Sequence, residues 1–255
     1  MRNTLLTLFI LLFAVTISAA DIKSGRDLVT AMHSKYSGKW YRTLTFIQKT
    51  TTYKPDGTSD VAIWYEAMTV PGKLRIDIAP LDMGNGMIFA DGKIHSFRDG
   101  KLAGSRDLVH PLMVLGFDVY GQPVDKTLDQ IRSLKIDLDT VHVAKWQGRD
   151  AYVVGAKPGD ETTPQFWIDR KNLYFVRLIQ RSGREGKSVS ETQFNKYEQV
   201  KGGGWIAPEV KFFTDGRMTM LEEYTDVQAN VSLAADLWDP EKWMLADKSY
   251  FQLKK

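Results

Sequence analysis

The sequence predicts a mainly β (α+β) protein, a curled antiparallel half-barrel of about ten or eleven strands with helices covering its concave mouth. Three observations carry that prediction. From residue 40 onward, side chains alternate with period two in segments rich in aromatic and β-branched residues, the pattern of half-buried strands. Asp-Gly and Pro-Asp-Gly turns punctuate these segments at hairpin spacing. Three apolar stretches at helical spacing remain to cover one face. A sheet of that many strands cannot stay flat; it twists, curls, and closes or splits.

The elements follow in order. Ser24 is placed to cap a helix running through Lys35, with Asp27 as its capping-box partner. Leu28, Val29, Met32 and Tyr36 share one face, and Gly38 ends the helix. The period then changes. Trp40, Leu44 and Phe46 alternate with Tyr41, Thr43, Thr45 and Ile47, and Pro55-Asp56-Gly57 turns the chain. A second long strand carries Val61, Ile63 and Tyr65 on one face and Ala62, Trp64 and Met68 on the other. Pro71-Gly72 turns it into Leu74, Ile76 and Ile78, and Asp91-Gly92 and Asp99-Gly100 mark tight hairpins.

The meander is interrupted from Asp107 to about Leu134. Pro111 to Phe117 is strongly apolar, and a second helix runs from Pro123 with Val124, Leu128, Ile131 and Leu134 on one side. Strands resume at Val141–Trp146, Tyr152–Val154, Phe166–Ile168, Leu173–Gln180, Val189–Tyr197, Trp205–Phe213 and Met218–Val227. No linker or repeat divides the chain, so residues 21–255 are expected to form a single domain.

The first twenty residues predict export. Arg2 gives a positive start, Leu5 to Ile17 is almost wholly apolar, and Ser18-Ala19-Ala20 sets small residues before Asp21. Residues 1–20 therefore read as a signal peptide cleaved after Ala20, too short in its apolar run for a spanning helix. The chain has no cysteine, which removes disulfides and the lipid attachment of a bacterial lipoprotein. A soluble periplasmic protein that is not lipid-anchored is expected. The chain's net charge of +3, which falls to +2 when Arg2 leaves with the signal, is too mild and dispersed for nucleic-acid binding.

Motifs for catalysis are sparse. There is no His-Glu-x-x-His helix and no Gly-x-Ser-x-Gly elbow, and His33, His95, His110 and His142 are scattered singly. Glu222 and Glu223 are adjacent strand residues and point to opposite faces. Gly202-Gly203-Gly204 lies between strands and reads as a hairpin, not a phosphate cradle. The residues thus point to no enzyme, no metal and no cofactor. A curled sheet with helices in its mouth is suited instead to apolar ligands, and Trp 7, Phe 12 and Tyr 10 supply contact surface for them or for a solid core. Pro111 to Phe117, bracketed by glycines, reads as either a core helix or a swinging lid.

The sequence resembles the LolA/LolB-type lipoprotein-carrier superfamily, in particular outer-membrane lipoprotein-sorting proteins. Phe46-Ile47-Gln48 resembles the family's Phe-x-Gln, and Val70-Pro71-Gly72-Lys73-Leu74-Arg75-Ile76-Asp77 its Pro-Gly-Lys-aromatic-Arg strand. Ile88 to Lys93 resembles its Asp-Gly hairpin, and Asn230 through Leu237-Trp238-Asp239-Pro240 its closing Asn…Phe-x-Pro stretch. The resemblance implies an incomplete barrel holding acyl chains of lipids or lipoproteins, with transient inner- or outer-membrane protein partners. Phe46, Trp64, Met68, Leu74 and Ile76 would face the cavity, and Met113, Leu115 and Phe117 would belong to the lid. One departure stands out: soluble carriers place a lid-holding arginine before the turn proline, where this chain has Val70. A protein-binding envelope-stress regulator of the same fold ranks second, and a small hydrolase third.

Overall fold

The structure, a computed structural model, describes residues 22–251. The expected signal peptide lies outside the described residues. Helix α1 (Gly25–Tyr36) begins as its sequence dictates: the Ser24 hydroxyl accepts from the Asp27 N–H, and the Asp27 carboxylate accepts from the Ser24 N–H. Its Leu28, Val29 and Met32 are fully buried.

Strands β1 (Thr43–Tyr53), β2 (Ser59–Thr69), β3 (Lys73–Ile78), β4 (Asn85–Ala90), β5 (Lys93–Arg98) and β6 (Lys101–Asp107) form an antiparallel meander. The helices α2 (Pro111–Gly116) and α3 (Val124–Ser133) follow. A second meander contains β7 (Val141–Trp146), β8 (Arg149–Val154), β9 (Gln165–Asp169), β10 (Phe175–Ser182) and β11 (Ser188–Asn195). A two-stranded ribbon, β12 (Glu198–Gln199) and β13 (Trp205–Ile206), precedes its last strands, β14 (Glu209–Thr214) and β15 (Arg217–Ala229).

The two meanders join where β1 pairs with β15, giving one 13-stranded sheet in the order β6-β5-β4-β3-β2-β1-β15-β14-β11-β10-β9-β8-β7. It is not closed, since β6 and β7 are free edges. That topology explains the helices. The chain leaves β6 at one edge and must reach β7 at the other, and it crosses one face of the sheet as α2 and α3. Their apolar sides, with α1, bury the main core on that inner face, where Val114, Leu115, Leu128 and Ile131 are nearly inaccessible.

The mainly β, curled antiparallel class is as predicted, but the strand count is higher than the expected ten or eleven. The turns at Asp91-Gly92 and Asp99-Gly100 divide residues 85–107 into three strands that join the sheet separately, with β6 at its edge. The expected Trp205–Phe213 strand is broken at Ala207-Pro208, where the chain leaves the ribbon for the sheet. Leu173 sits in a turn with φ +57°, so β10 starts two residues later than its apolar run suggests.

The outer face is covered at one end by the C-terminal segment, residues 233–250. Leu237, Trp238 and Ala246 pack on Ala67, and Trp243 packs on Ile88, Ala90 and Phe97. Beneath it lie Arg75 and Asp77, whose side chains alternate with the inward-facing Leu74 and Ile76.

Candidate functional site

Inward-facing rows of β1, β2, β3 and β4 line a hollow of about 230 Å³ beneath α2. Registry builds these rows. Phe46 lies opposite Glu66, Glu66 opposite Ile76, and Ile76 opposite Met87; beside them run Met68, Leu74 and Phe89. Phe194, Phe212 and Met220 form the far wall, and Leu112, Met113 and Phe117 form the roof. An apolar cavity of about 150 Å³ is already large enough to take benzene.

Seven of the eight residues singled out from the sequence meet here: Phe46, Trp64, Met68, Leu74, Ile76, Met113 and Phe117 all line the hollow. Leu115 does not. Two residues along a helix rotate a side chain by about 200°, so Leu115 points away from Met113 and is buried in the core.

The polar lining was missed. Gln48, Glu66 and Glu222 are each at least nine-tenths buried, with exposures of 1, 5 and 8%. Tyr224 donates its hydroxyl to Glu222 Oε2 at 2.8 Å, and Gln48 donates to Thr50 Oγ1 at 2.8 Å. Burial pushes the Glu222 carboxyl up to about 7, against the pull of its Tyr224 and Gln48 hydrogen bonds. Burial, and then the charge of Glu222, raise Glu66 well above the usual carboxylate range. The signal was present. Glu66 falls between Trp64 and Met68 on the inward face of β2, an acid where the alternation demands an apolar residue. Glu222 and Glu223 do part as adjacent strand residues must: Glu223 is outside, paired with Lys49 at 3.1 Å.

A second hollow, of about 360 Å³, lies on the other side of α2 and shares Phe89, His110 and Met113 with the first. His110 caps α2 by accepting from the Met113 N–H at 3.3 Å, and burial lowers its imidazole to about 4, so it is neutral at physiological pH. Asp118, directly after Phe117, accepts from the Gly72 N–H at 2.9 Å. Burial pushes the Asp118 carboxyl up to about 6, opposed by the Gly72 N–H and by Lys126. This bond ties the roof segment to the β2–β3 turn, two residues beyond Val70. Arg75 plays no part, because it faces the other side of the sheet.

The Asp118→Ala variant is expected to leave Gly72 N–H without its acceptor. Amide exchange at Gly72 and across residues 111–117 should then accelerate by about tenfold, the size of one lost hydrogen bond to a charged group. Hydrogen-exchange mass spectrometry checks this, and unchanged protection would show that packing alone holds the roof.

Among the described residues, no group of three or more His, Cys, Asp or Glu is arranged to hold a metal ion, and no helix is long and apolar enough to cross a membrane.

No family model matches the chain, and no curated protein matches it in sequence. Solved structures do match in fold. A domain described as an outer membrane lipoprotein-sorting protein, from Vibrio parahaemolyticus, aligns with TM-score 0.57 at 10% identity over 84% of this chain and 96% of that one. A LolA superfamily protein from Nitrosomonas europaea aligns with TM-score 0.52 at 11% identity, covering 82% and 96%. A DUF1329 family protein from Desulfovibrio piger aligns with TM-score 0.56 at 12% identity, covering 86% and 97%. The fold of this chain is therefore the LolA-like fold, an open curled sheet around helices.

Proposed function

We propose that this chain, built on the LolA-like fold, is a non-enzymatic carrier or receptor that holds acyl chains or similar apolar ligands in the hollow under α2. The observation that carries the reading is the hollow itself: the sheet floor and the helical roof present Phe, Met, Leu and Ile side chains to an unfilled space. The force would be partition, about 0.8 kcal/mol for each methylene removed from water. The hollow alone is small for a lipid tail. The neighbouring one lies just past His110 and Met113, and a shift of α2 would join them into a space in the range of roughly 300–1,000 Å³ that ligand sites occupy.

In this reading residues 21–255 act as one unit in the periplasm after cleavage following Ala20. The cargo is a lipid or a lipid-modified protein, received from and passed to membrane partners. Three lines support it: the export signal, the family-like motifs along the chain, and the fold shared with a lipoprotein-sorting domain. Native mass spectrometry of gently purified protein is expected to show bound lipid, and a fluorescent fatty-acid analogue is expected to be taken up and displaced. The absence of both co-purified lipid and uptake would end the proposal.

A further inference from the structure

We infer that the apolar molecule held under α2 carries a cationic nitrogen, a protonated amine, at the end that reaches Glu66 and Glu222. The inference rests on the carrier reading and narrows its ligand class.

Apolar rows have no use for Glu66 as a packing residue. It sits between Phe46 and Ile76 on the cavity floor, more than nine-tenths buried, and its carboxyl accepts no hydrogen bond from any described residue. A buried carboxyl group without partners is costly, and an apolar side chain of similar size would remove the cost. Glu222 stands near it on β15, held by Tyr224 and flanked in registry by Val210 and Thr50. Among the described residues no compensating cation lines the hollow: its lining includes these two acids and neutral His110, and neither Lys nor Arg. Lys73, Lys93 and Lys126 line the neighbouring hollow beyond His110 and Met113.

The site is therefore short of positive charge and rich in hydrogen-bond acceptors. Rings complete the case. Phe46 stacks on Tyr224 with centroids 4.4 Å apart, and Trp64 lies in the same row as Tyr224, on the other side of Gln48 in β1. Aromatic faces attract cations, most strongly where water is excluded. Acids together with aromatic faces in an apolar hollow recognise an ammonium group on a hydrocarbon body. A carboxylate or phosphate at the same end would meet Glu222 without any counter-charge.

Binding an ammonium would also favour the ionised forms of Glu66 and Glu222, which burial disfavours, so protons pass from the acids to the buffer while the amine keeps its own. The test uses the mature chain and three matched probes below their aggregation limits: decylamine, decanol and decanoate. Isothermal titration at pH 7.5 is expected to show decylamine binding about tenfold tighter than decanol, as one or two charge-assisted hydrogen bonds would give. The decylamine heat should vary with the ionisation enthalpy of the buffer, and the decanol heat should not. Glu66→Gln should bring the amine-to-alcohol ratio to within about threefold. Equal binding of amine and alcohol, or tightest binding of decanoate, overturns the inference and leaves the carrier reading standing. No binding of any of the three overturns both. The proton-release measurement on the unmodified chain decides the matter even if the variant misfolds.

Discussion

Replacing Arg75 with Met is expected to cost about 3–5 kcal/mol of folding stability, the price of breaking a buried, hydrogen-bonded ion pair. Arg75 is wholly inaccessible. Its Nε donates to Asp77 Oδ2 at 2.7 Å, and its Nη2 donates to Asp77 Oδ1 at 3.1 Å and to the Trp243 carbonyl at 2.7 Å. Nη1 donates to the Leu237 carbonyl at 3.2 Å, and the guanidinium lies 4.0 Å from the centroid of the Trp243 ring. One side chain thus fastens the C-terminal segment to β3. Methionine fills similar volume but satisfies neither carbonyl, and Asp77 keeps its ion pair with Lys248, at 2.8 Å. Trp243 is otherwise held by its indole N–H, which donates to the Gly84 carbonyl, and by stacking on Phe97. Gly86 permits that fit, since a Cβ there would come within 2.8 Å of the Trp243 ring. The urea midpoint should fall, and trypsin should cut after Lys242 and Lys248 while the sheet persists. A loss under about 1 kcal/mol with no new cleavage would show that the tryptophans suffice to hold the segment.

What the sequence discloses here follows the range of the forces involved. The α1 cap is legible because Ser24 and Asp27 are three residues apart, and the hairpins because Asp91-Gly92, Asp99-Gly100 and Asp215-Gly216 adopt the positive φ that such tight turns need. The inward parity of Trp64, Met68, Leu74 and Ile76 is legible too, for once a strand is placed its faces follow. The pairing of β1 with β15, nearly the whole chain apart, is not, because alternation says nothing about which strand is the neighbour. Neither is the covering of the outer face. Arg75 between Leu74 and Ile76 reads as an outward polar residue, and it does point outward, but residues 233–250 bury it there. Glu66 escaped for the opposite reason. A glutamate in a strand suggests the solvent face, while its registry puts it on the floor of the hollow.

That misplaced acid and its partner make stability depend on pH in an unusual sense. The folded Glu222 carboxyl titrates at about 7, above its ordinary value of 4.5. Below about pH 4.5 both the folded and the unfolded chain hold the proton, and its contribution is complete. As pH rises toward 7 the unfolded chain releases its proton first, so stability falls, and above 7 the deficit is constant at about 3 kcal/mol. Glu66 is raised by burial and by Glu222, and it acts in the same direction. Glu222→Gln retains an acceptor for the Tyr224 hydroxyl and carries no charge. It should therefore match the parent at pH 4, exceed its stability by about 3 kcal/mol at pH 8, and flatten the profile between them. Urea unfolding at intervals from pH 4 to 8 measures this. A variant less stable than the parent at pH 8 would mean that Glu222 is favoured as a carboxylate by its surroundings, and the hollow would then need no cation from outside. A variant more stable there means that the free protein bears an unbalanced acid at neutral pH. Such a strain is relieved when a positively charged ligand arrives, so the energy withheld from folding becomes available to binding and sets the preference among apolar molecules of equal length.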